Sequence, residues 1–85
     1  MEFIARYISN FFRIVRYGTT PDAFMERTRR IGEELSQIAD PELRDQAQGM
    51  LLRISNYDPS LIEDPNCRTD IANEIDKLAD FCKRH

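Results

Sequence analysis

Histidine is almost absent from these 85 residues: there is one, His85, at the last position, where a fraying end is a poor seat for a general base. Only two cysteines occur, Cys67 and Cys82, too few for a disulfide scaffold, with no histidine near enough to complete a zinc-like spacing. A reducing, cytoplasmic setting is the simpler expectation. The three glycines, Gly18, Gly32 and Gly49, stand alone, so no glycine-rich loop exists to cradle a phosphate. No apolar run approaches the ~18 residues that a bilayer span needs, and Arg6, Arg13 and Arg16 interrupt the N-terminal pattern where a signal peptide would be uncharged. There is no His-Glu-x-x-His pattern and no calcium-loop pattern, and Asp58 and Asp64 in the acidic stretch from Asp58 to Asp70 have another use, described below. The reading is a non-enzymatic chain with no cofactor and no metal.

What is present is a chain patterned for helices. Apolar residues make up 41% and charged residues 32%, a composition that supports a packed core and excludes a disordered tail. The four prolines each follow an oxygen-bearing residue, in Thr20-Pro21, Asp40-Pro41, Asp58-Pro59 and Asp64-Pro65. Such a side chain accepts from the unpaired amides of a first helical turn, and proline just inside loses no bond. These starts predict helices from about Phe3 to Tyr17, Pro21 to Ala39 and Pro41 to Asn56, a single turn over Pro59 to Glu63, and a last helix ending near Lys83 that either Asp64 or Thr69 begins. Gly18 reads as the stop of the first helix.

Apolar stripes support this division. Phe24, Thr28, Ile31, Leu35 and Ile38 recur at three- and four-residue steps, as do Leu43, Ala47, Met50, Leu51 and Ile54, and then Ile71, Ile75, Leu78 and Cys82. No segment alternates with period two. The fold class expected is all-α, a small bundle of four helices plus one short helical turn. It is one domain, in which an amphipathic helix within residues 1–20 joins an antiparallel hairpin and a C-terminal helix within residues 21–85.

The first helix is disproportionate. Phe3, Ile4, Tyr7, Ile8, Phe11, Phe12, Ile14 and Val15 fill an arc of about 180°, wider than the stripe of ~100° that a surface helix needs. Residues 1–20 carry three arginines against one glutamate, net +2, and the remaining 65 residues carry nine cations against fourteen acids, net -5. The expected role is therefore protein–protein interaction, as an inhibitor, adaptor or assembly factor. In that role Phe3, Tyr7, Phe11, Phe12, Ile14 and Val15 face a second copy or a protein partner, with Arg6, Arg13, Arg16 and Tyr17 at the rim.

Three rival arrangements use the same helix: simple internal packing, attachment to a membrane surface through its basic face, and capture of a nucleotide-like anion at a subunit seam by Tyr7, Tyr17, Arg13 and Arg16. The membrane reading is the weaker, because three cations attract an anionic leaflet that repels the acidic body. Nucleic acid is not expected as a partner: the third helix, the reader in a helix-turn-helix, has only Arg44 and Arg53 in an acidic domain. A second oddity lies in that helix, where Leu52 falls on the polar side beside Gly49: it is either one of the single exposed leucines that are ordinary on a surface or, with Gly49, the mark of a place where another helix approaches.

Overall fold

The computed structural model describes all 85 residues, in the order α1 (Glu2–Tyr17), α2 (Pro21–Leu35), α3 (Pro41–Ser55), a 3-10 turn (Pro59–Glu63) and α4 (Pro65–Arg84), with no strand. Each oxygen-bearing residue before a proline caps the element it precedes. Thr20 Oγ1 accepts from the Ala23 amide at 3.2 Å, Asp40 Oδ1 from Glu42 at 2.9 Å, Asp58 Oδ1 from Ser60 at 3.0 Å, and Asp64 Oδ1 from Asn66 at 2.9 Å. A cap of this kind contributes about 1 kcal/mol. Asp64, not Thr69, begins the last helix; the Thr69 hydroxyl instead donates to the Pro65 carbonyl at 3.0 Å from inside it.

The second helix ends four residues earlier than its apolar period suggests. Asp40 precedes a proline, whose ring pushes it to extended backbone (φ -74°, ψ 115°), and the chain must leave the helix before reaching it. It does so through tightened i to i-3 bonds, Gln37 N to Glu34 O and Ile38 N to Leu35 O, which turn Ile38 into the core. Gly18 ends α1 at φ 123°, a backbone that side chains other than hydrogen rarely adopt, and its amide donates to the Ile14 carbonyl at 3.0 Å.

The helices form an up-down-up-down bundle. Phe11 of α1 meets Phe24 of α2 with ring centroids 5.7 Å apart, across the short connection that makes these two helices antiparallel. A Cβ at Gly32 of α2 would lie 3.4 Å from the Leu51 side chain of α3, where that antiparallel pair meets. Gly18, at the end of α1, lies by the Arg68 side chain near the start of α4, so these two also run in opposite directions. The core draws on every element, from Ile8, Phe11 and Val15 through Phe24, Ile31, Leu35 and Ile54 to Ile62 of the 3-10 turn and Ile71, Ile75 and Leu78 of α4. The accessible surface is 5325 Å², close to the roughly 5200 Å² expected of a folded chain of 10.0 kDa, so α1 is folded in and does not project.

Candidate interaction surface

The two flanks of α1 are used differently. It packs most closely on α4, where small buried residues, Ala5 on α1 and Ala72 and Ala79 on α4, let backbones approach. Its contact with α2 is sparser. The fold therefore takes up the middle of the wide apolar arc and leaves one edge of it outside.

The fate of the expected interface residues follows from this geometry. Phe11 and Val15 are buried completely within their own chain and offer nothing to a partner; the α4 and α2 side chains already fill their surroundings. Phe12 is half-buried and packs against the core. Tyr7 and Ile14 are half-buried, while Phe3 and Tyr17 remain 72% and 83% exposed. With exposed Asn10 between them, Phe3, Tyr7, Asn10, Ile14 and Tyr17 follow one another at steps of four, three, four and three, the spacing of a helix–helix seam. Reading the arc as one face missed this strip and missed Asn10; the four-three spacing was the available signal.

The strip borders the α1–α2 seam. Tyr7 shares a cleft of about 340 Å³ with Ala23, Glu26, Arg27 and Arg30 of α2, and Phe3 and Ile4 border another with Glu34 and Ile38. Of the groups expected to hold an anion, Tyr7 thus meets Arg27 and Arg30, while Arg16 falls on the side of α1 opposite Tyr7 and Ile14.

The arginines of α1 do not reach the acidic body. Arg6 makes one long contact, 3.8 Å to Glu2 on its own helix, with both side chains in solvent, and Arg13 and Arg16 have no carboxylate within ion-pair distance. Every ion pair lies within a single helix. The fullest is on α2, where Arg29 bonds Glu26 at 2.6 Å and also Glu33. The Arg29 hydrogen bond holds the Glu26 carboxyl below its ordinary value, and the two carboxylates raise Arg29 in return. Exposed pairs of this kind add little to stability.

On α3, Leu52 is 59% exposed, as its place on the polar side implies. A Cβ added at Gly49 would meet nothing within 4 Å; the glycine at which a Cβ would touch a neighbouring helix is Gly32. Gly49 borders a cleft of about 400 Å³ with Asp45, Met50, Arg53 and Phe81.

Cys82, Thr28 and His85 each pack against or bond to their own chain. Cys82 is buried, and desolvation pushes its thiol above the ordinary value, away from nucleophilic use. Cys67 lies fifteen residues earlier on the same helix, about 22 Å away, and both are free thiols. The buried Thr28 hydroxyl donates to the Phe24 carbonyl at 2.8 Å, and the His85 ring lies against Phe81 with centroids 4.6 Å apart. No group of three or more His, Cys, Asp or Glu side chains converges as metal ligands would, and no helix is long and apolar enough to cross a membrane. A helix lying on a membrane surface directs the centre of its apolar face at lipid; in α1 that centre, Ile8, Phe11 and Val15, is in the core.

No protein-family model, curated protein or solved structure matches this chain.

Proposed function

We propose that the protein is a non-enzymatic interaction module that associates with another protein surface through the outer strip of α1. The observation that carries this reading is the strip itself: exposed Phe3 and Tyr17 and half-buried Tyr7 and Ile14 at seam spacing, beside Arg6, whose one ion-pair partner is Glu2 of its own helix, and Arg13, which has none. Exposed apolar side chains are individually ordinary, but a set in helical register flanked by exposed cations has the composition of a binding edge. The occupant this favours is a helix with apolar residues at matching steps and acids at its margin.

The test is oxidative footprinting of the intact chain, in the cells that make it and as a dilute purified sample. Phe3 and Tyr17 should be several-fold less modified in the cell, while Met25, also exposed but on α2, should label equally in both. Equal labelling of Phe3 and Tyr17 in the two settings overturns the proposal.

A further inference from the structure

Building on that reading, we infer that the occupant of the α1 strip is a second copy of this chain, with Phe3 of one copy seated in the cleft beside Gly49 on α3 of the next. The two halves of the molecule are complementary in charge. Residues 1–35 carry six arginines against five acids, net +1, and residues 36–85 carry six cations against ten acids, net -4. A copy offering α1 therefore meets an attractive surface on the α3–α4 side of another.

Shape agrees with charge. Phe3 projects from the start of α1, 72% exposed, and is the largest apolar group available as an anchor. Gly49 leaves open space on α3, and the cleft it borders is lined by Asp45, Gln46, Met50 and Arg53 of α3 and by the largely buried Phe81 of α4. Leu52, exposed next to this cleft, gives the incoming strip an apolar neighbour outside the pocket.

The rim charges choose a direction. Glu42, Asp45, Gly49 and Arg53 share one stripe of α3, and none of the three charged side chains is in an ion pair within the chain. With α1 antiparallel to α3, Glu2 of the incoming helix comes toward Arg53 while Arg6 and Arg13 run on toward Asp45 and Glu42. The opposite direction sets Arg6 against Arg53. Antiparallel pairing of two α1 strips is disfavoured in the same way, because it brings Arg6 of each copy toward Arg13 of the other. Each copy thus presents one donating and one accepting surface.

Two full-length variants test this by light scattering over a concentration series. Phe3→Asp disables the donating surface, and Gly49→Arg fills and charges the accepting one; both positions are exposed, and circular dichroism should show an unchanged helical bundle. The wild type should rise above the single-chain mass, each variant alone should associate at least tenfold more weakly, and an equimolar mixture should recover a two-chain species, since one good donor and one good acceptor remain. Asp45→Lys, which alters charge without filling the cleft, should weaken association roughly three- to tenfold. A wild type that stays monomeric to about 1 mM, a Gly49→Arg variant that self-associates normally, or a mixture that recovers nothing overturns the inference. The footprinting result for Phe3 and Tyr17 is independent of these outcomes, so the broader interaction reading can stand when this one falls.

Discussion

The two flanks of α1 show how a single helix divides its apolar surface between folding and display. Against α4 the contact is close and built on alanines and fully buried aliphatics; against α2 it is sparse, bordered by half-buried Tyr7 and Arg27 and by exposed Arg30. Both flanks are comparably apolar in sequence, so hydrophobicity alone did not decide between them. What differs is the side chains present: buried alanines on the α4 side let backbones close, whereas Arg27 and Arg30, with Ala23 and Glu26, line the cleft on the α2 side.

The largest test of this contrast sets the inner face against the outer strip. Phe11→Ala, which empties a fully buried site against Phe24, should lower unfolding free energy by about 3–5 kcal/mol in urea denaturation, and Phe3→Ala should change it by less than about 0.5 kcal/mol. Similar losses at the two positions would mean that Phe3 is part of the core in solution. A second pair probes the seams themselves. Ala79→Leu forces bulk into the closed α1–α4 contact and should destabilise by about 1–3 kcal/mol, whereas Ala23→Leu beside the open α1–α2 cleft should be nearly neutral. Equal effects would show that the seams are packed alike.

Smaller differences are expected at the starts of the two helices that flank α1. Asp64 accepts from two amides at the head of α4, Asn66 at 2.9 Å and Cys67 at 3.4 Å, while Thr20 accepts from one at the head of α2. Asp64→Ala should therefore lower stability by about 1 kcal/mol and Thr20→Ala by somewhat less. The reverse order in denaturation would mean that the open seam depends on its cap more than the closed one.

The helix starts were legible in sequence because capping is local: an Asp or Thr before a proline needs nothing distant to do its work. The end of α2 was not, since the apolar period carried on to Ile38 while the constraint came from Pro41 acting on Asp40. The breadth of α1's apolar arc was also plain, yet its division was not. Which edge faces inward depends on where α2 and α4 stand, and a single helical wheel contains no such information; Phe11 and Val15 accordingly appeared as available as Phe3. The glycines make the same point. Gly32 and Gly49 look alike as isolated glycines in helices, and only assembly places Leu51 against the first and open space against the second.

The smallest expected effect lies outside α1, at the 3-10 turn beneath α2. Asp58 Oδ1 accepts from both the amide and the hydroxyl of Ser60, at 3.0 and 2.9 Å, and these bonds hold its carboxyl below the ordinary aspartate value. A carboxyl whose pKa is lower folded than unfolded adds stability that is fully present above the unfolded value and fades as pH falls through the folded one. Asp58→Asn should therefore leave a protein whose stability depends less on pH below about 4, with little change in slope near neutrality. Because Asp58 is exposed, and because Ile62 buried in the core anchors the same turn, the turn should keep its place and only the acid limb of the stability curve should flatten. A steeper acid limb in the variant would contradict this, and would place the proton-sensitive contact among the other carboxylates of the α3–α4 side.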